Sequence, residues 1–143
     1  MLWFLLFSGP MQTVQLGPPQ PVIGQVVLRY QPGLAKLPKT LAVLKTCTQK
    51  SGLKLPHSQP LEIRVVDAAW LNRAFPRPPK LDRLGRYYVA KNGHPALIYV
   101  AQTDDAMVTV AHEWLHHLAT VYGYNWTEKA IETRAKSCAL TKP

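Results

Sequence analysis

The sequence predicts an α+β fold, one domain with a small, mostly antiparallel sheet built around a long helix. Three observations carry this. Leu61-Glu62-Ile63-Arg64-Val65-Val66 alternates apolar and polar residues until its end, the period of a half-buried strand. Arg86 to Ala90 and Ala96 to Ala101 are two further strand-like runs, joined by Lys91-Asn92-Gly93-His94-Pro95, and Asn-Gly is a strong hairpin turn signal. Residues 104 to 122 then bring apolar residues back at helical spacing, as a packed helix does.

The chain has 143 residues, 47% of them hydrophobic, the length of one domain with enough apolar side chain to build a core. Met1 to Phe7 are apolar but lack a basic leader, and the run is too short for a membrane span or a complete signal peptide. It reads as a signal remnant or a small packed segment. The lean is to an exported or periplasmic protein, with a cytoplasmic one the alternative. Residues 1–21 are expected to form an apolar, proline-rich leader and residues 22–143 the folded domain. Pro10, Pro18, Pro19, Pro21, Pro32 and Pro38 forbid a helix through this region, and only Val22 to Tyr30 is suited to a strand.

Pro38 to Ser51 reads as the first helix, with Leu41, Leu44 and Cys47 on one side and Gly52 at its stop. Ala68 to Phe75 forms a short helical turn that Pro76, Pro78 and Pro79 end. Pro95 lacks an N–H, so the strand it opens is placed at a sheet edge. The long helix takes Thr103 or Asp104 as its cap, Asp104 and Asp105 at its positive end, and Gly123 as its stop. Asn125 caps the last helix, with Glu128 three positions on as in a capping box, and that helix runs to about Leu140.

Seventeen Lys and Arg against eight Asp and Glu give a net charge of +9, which attracts nucleic acid, anionic surfaces or acidic substrates. The basic residues are scattered along the chain, so they read as a solvated surface before a nucleic-acid footprint. Cys47 and Cys138 are the only cysteines. They are too far apart for a metal knuckle, and either two buried thiols or one disulfide fits them; export favours the bridge.

Chemistry is stated by His112-Glu113-Trp114-Leu115-His116. On a helix His112 and His116 share one face, where two imidazoles can hold one metal ion while Glu113 reaches its water. Asp105, Thr109, Glu113 and Thr120 fall on the same stripe, and most of the rest of the helix is apolar, so this stripe should wall a cleft. Catalytic zinc usually takes three protein ligands. The candidates for the third are Glu128, Glu132, His117, His94 and Asp105; His117 points away from His116 by 100°. Glu132 is the choice, because Glu128 has a local role as capping partner.

His-Glu-x-x-His followed by a glutamate on the next helix resembles the gluzincin branch of the zincin metallopeptidases. Glu132-Thr133-Arg134-Ala135-Lys136-Ser137-Cys138-Ala139 is similar to the Glu-x-x-Ala-x-x-x-Ala segment of ImmA/IrrE-like peptidases and minigluzincins. The resemblance spans about residues 38 to 140 in element order, and the interval from His116 to Glu132 is shorter than in the larger members. It implies a zincin-like fold in which an edge strand lies over the motif helix and a glutamate helix follows. It further implies one zinc ion held by His112, His116 and Glu132, with Glu113 as general base in peptide hydrolysis. The substrate backbone would add to the strand Ala96, Leu97, Ile98, Tyr99, Val100, Ala101. His117, Tyr122 and Tyr124 are the candidates to stabilise the transition state.

The expected function is thus zinc-dependent endopeptidase action on a peptide or protein. The alternative is a basic module for nucleic acid or another partner on an inactive zincin fold. A third possibility is a peptidase whose proline-rich residues 9 to 35 occupy the cleft.

Overall fold

The computed structural model describes residues 14–56, 58–75 and 84–140, so the stretch from Met1 to Phe7 lies outside it. The elements run β1 (Gln20–Ile23), β2 (Val26–Tyr30), α1 (Thr40–Lys50), β3 (Leu61–Val66), α2 (Ala68–Ala74), β4 (Gly85–Tyr88), β5 (Ala96–Ala101), α3 (Ala106–Tyr122) and α4 (Glu128–Ala139). This is an α+β protein with a mixed sheet of order β1-β2-β3-β5-β4.

The sheet departs from expectation in two ways. The pairs β1–β2 and β4–β5 are antiparallel, but β2–β3 and β3–β5 are parallel, so it is not mostly antiparallel. Crossovers account for this: α1 connects β2 to β3, and α2 with β4 separates β3 from β5, and a crossover returns the chain in the same direction. The second correction concerns Ala96–Ala101. β5 is paired on both sides, and among the described residues β4 is the edge strand. Pro95 precedes β5 and takes no ladder position, so it does not force β5 outward.

The hairpin forms as its turn predicts, with Asn92 at φ 51° and Gly93 at φ 80° and Lys91 bridged to His94. At the other edge the expected single strand divides into β1 and β2 around Gly24, at φ 55°. Within the stretch expected as leader, Gln20 and Pro21 pair with Leu28 and Val27, and the Gly17 N–H donates to the Tyr30 carbonyl at 2.8 Å. Pro21 is tolerated because β1 is an edge strand.

Alternation along β5 divides the core. Ala96, Ile98 and Val100 face α1, α3 and α4 in the larger cluster, whereas Tyr99 and Ala101 join Trp70, Leu71 and Phe75 on the α2 side. Inside the larger cluster Trp114 is fully buried, and its indole Nε1 donates to Thr48 Oγ1 at 2.9 Å, tying α3 to α1. Cys47 and Cys138, left open between thiols and bridge by the sequence, form a disulfide that ties α1 to α4. No helix among the described residues is long and apolar enough to cross a membrane.

Candidate metal centre

α3 begins at Ala106 and ends at Gly123, whose left-handed φ of 73° turns the chain back toward α4. Asp105 is its N-cap residue but makes no side-chain cap bond; Thr103 Oγ1 instead accepts from the Asp105 N–H. Ten of the helix's residues are buried, among them Glu113, which is only 8% exposed. His112 and His116 remain half-buried on the polar stripe, with ring centroids 5.0 Å apart.

α4 brings Glu128, and not the expected Glu132, to the two imidazoles. Its N-cap is Thr127, whose Oγ1 accepts from the Ala130 N–H, and not Asn125. Glu128 is then the first helical residue and has no capping box to close. It lies at the positive helix end, a favourable place for a carboxylate, and turns to α3. Its Oε1 is 2.6 Å from His112 Nε2 and its Oε2 is 3.0 Å from His116 Nε2. Glu132, the expected ligand, lies one turn on and pairs with Lys136 at 3.5 Å. It lines an adjoining part of the cleft without meeting either imidazole. Of the other candidates, Asp105 lines that same part, whereas His94 sits in the β4–β5 turn.

The cleft is lined by Gly85, Arg86, Tyr87, His112, Glu113, His116 and Glu128. Gly85 lets β4 close on α3, because a Cβ there would lie 2.9 Å from Glu113 Oε2 and 2.5 Å from Thr109 Cγ2. Sequence reasoning passed over Gly85 and Tyr87. A glycine opening a strand signals close backbone approach, and that signal was available; nothing in the sequence marked Tyr87.

None of the three expected transition-state stabilisers lines the cleft. His117 is buried against Trp114, and its Nδ1 is 2.9 Å from the Tyr87 hydroxyl. Burial lowers its pKa to about 4, so the ring is neutral at pH 7. Tyr122 donates to the Lys54 carbonyl, and Tyr124 stacks between Tyr122 and Trp126. His117 and Tyr122 point off the polar stripe of α3, and Tyr124 lies beyond the end of the helix. Residues 14–35 also stay out of the cleft, because they supply β1 and β2 at the far edge of the sheet.

Compared with known proteins, the chain matches no family model, no curated protein and no solved structure. The site is read from its own chemistry.

That chemistry fits a divalent metal. Two imidazole nitrogens and a carboxylate converge from α3 and α4, and the ligand atoms of His112, Glu113 and His116 lie within 4.8 Å of one another. Both carboxylates are thus near, but Glu128 bridges the two rings while Glu113 is seated against Gly85. Burial lowers the pKa of His116 although the Glu128 carboxylate raises it. A neutral imidazole is the form that ligates. Tetrahedral zinc keeps its donors roughly 3.4 Å apart, more than the present Glu128 to histidine distances, so the carboxylate as it stands accepts hydrogen bonds from the rings. It is 65% exposed, so its side chain can change position without disturbing the core.

Proposed function

We propose that this chain is a zinc-dependent endopeptidase, with His112, His116 and Glu128 as the metal ligands and Glu113 as the general base. The observation that carries the reading is the Glu128 carboxylate meeting both imidazoles at 2.6 and 3.0 Å, beside a buried Glu113 on the same cleft wall. His112, His116 and Glu128 would hold the zinc ion, which would supply Lewis acidity to the scissile carbonyl and make the attacking water more acidic.

The remaining steps belong to the chain's own residues. Glu113 takes a proton from the attacking water on a carboxylate oxygen and delivers it to the departing amine. Its low exposure keeps bulk water from competing for that proton. An extended peptide is best accommodated along β4, because a strand that is paired on both sides, as β5 is, has no backbone groups to offer. Peptide laid against β4 passes Gly85 and Tyr87, both of which line the cleft.

The test is zinc content measured alongside cleavage of an unstructured protein such as casein. The expectation is about one zinc per chain, with Glu113→Gln abolishing cleavage while retaining the metal, and His112→Ala losing both. A Glu113→Gln variant as active as the parent would remove the mechanism.

A further inference from the structure

Between Gly123 and α4 the chain is neither helix nor strand. Tyr124 and Trp126 align there, their ring planes 20° apart and centroids separated by 5.5 Å. Tyr122, the last residue of α3, continues the row at 21° and 6.3 Å, its ring held by the hydroxyl's bond to the Lys54 carbonyl. Tyr122 is 38% and Tyr124 48% exposed, so two large rings of one aligned row face solvent. Their neighbour Trp126 has the Arg134 guanidinium over its ring, 4.7 Å from the centroid.

Arg134 extends this row into a basic groove along α4. It lines one depression with Lys50, Ser51, Thr133 and Ser137 beside the disulfide, and a second with Thr127, Lys129, Ala130 and Thr133. The two share Thr133 and Arg134. Cations and hydroxyls supply their polar lining, and no carboxylate is among the lining residues. The opposite side of the helix is different: Glu128 and Glu132 line the cleft. At 100° per residue Arg134 is turned about 240° from Glu128, so α4 separates an acidic cleft from a basic outer face.

Rings in a row beside cations and hydroxyls match one polymer. Bases of a single strand stack on aromatic faces while its phosphates follow the positive groove. A neutral glycan would use the rings but leave the cations without a role, and a duplex keeps its base faces covered. We propose that Tyr122, Tyr124 and Trp126, with Arg134, Lys50 and Lys129, form a binding surface for single-stranded nucleic acid, separate from the metal cleft. This inference does not depend on the peptidase reading.

The test is an anisotropy titration of the whole protein with fluorescein-labelled oligothymidylate of about 12 nucleotides. Tyr124→Ala should weaken binding about tenfold and Tyr124→Phe should restore it, because stacking needs the ring and not the hydroxyl. Arg134→Ala should weaken binding and reduce the slope of log affinity against log salt by about 0.7. Glu113→Gln and metal removal by a chelator should leave binding unchanged. Equal affinity of Tyr124→Ala and parent, or inorganic polyphosphate binding as tightly as the oligonucleotide, would reduce the surface to unspecific charge and overturn the proposal. Binding of a neutral glycan in place of the oligonucleotide would overturn it as well, as would loss of oligonucleotide binding in Glu113→Gln.

Discussion

Gly85 and Glu113 occupy adjoining space: a Cβ on the glycine would come within 2.9 Å of the glutamate Oε2. The edge strand thus reaches the carboxylate with backbone alone, and Tyr99 O at 3.1 Å closes the other side. Gly85→Ala must displace either β4 or the side chains of both Thr109 and Glu113, which a Cβ would meet at 2.5 and 2.9 Å. A shift of about 1 Å at a reacting group can cost roughly 100-fold in rate. We expect kcat for protein cleavage to fall by that order while zinc content stays near that of the parent, since His112, His116 and Glu128 are not among the atoms crowded. Full activity in Gly85→Ala would show that the close approach has no bearing on the base.

Glu128 and Glu132 give a paired prediction. Glu128→Gln removes the carboxylate that meets both imidazoles and should weaken zinc binding by roughly 100-fold or more. Glu132→Gln removes only an exposed pairing with Lys136 and should leave zinc affinity within about twofold, as exposed ion pairs contribute little. Competition against a colorimetric chelator measures both. The opposite ranking would return the third ligand to Glu132.

Thr48 accepts the indole N–H of Trp114 in the buried contact between α1 and α3. Thr48→Val keeps the shape and removes the acceptor, leaving a buried donor unpaired at a cost of about 1 to 3 kcal/mol. The urea midpoint should fall accordingly with an unchanged slope. A midpoint equal to the parent's would mean that the indole finds another partner.

The bridge between Cys47 and Cys138 closes a loop of 91 residues in sequence separation. Chain-entropy arguments give such a closure about 4 to 5 kcal/mol. Reduction, or the Cys47→Ala, Cys138→Ala pair, should lower Tm by on the order of 10 °C. Because α4 carries Glu128, zinc affinity should fall with it. A Tm that is insensitive to reductant would place the stability of the α1–α4 contact elsewhere.

Much of this was legible in the sequence wherever one local rule governed. Leu61–Val66 forms a strand with those bounds, and the Asn92-Gly93 turn and the Gly123 stop appear with positive φ as their residue types demand. His112, Glu113 and His116 share a stripe because helical geometry alone puts them there. What could not be read depended on contacts across the fold. The parallel pairings of β3 follow from where the crossovers land, and Pro95 misled about the edge because strand order is not a local property. Glu128 was set aside through a cap assigned to Asn125. The cap is Thr127, two residues later, which makes Glu128 the first helical residue and leaves it free of a capping box.

Cys47 is synthesised 91 residues before the cysteine it joins. Throughout that interval a nascent chain in an oxidising compartment carries a lone thiol able to couple with any other it meets. Production in a reducing host postpones this hazard but yields the dithiol form. Refolding with a thiol–disulfide shuffling pair is therefore the route by which recombinant material should regain its native link.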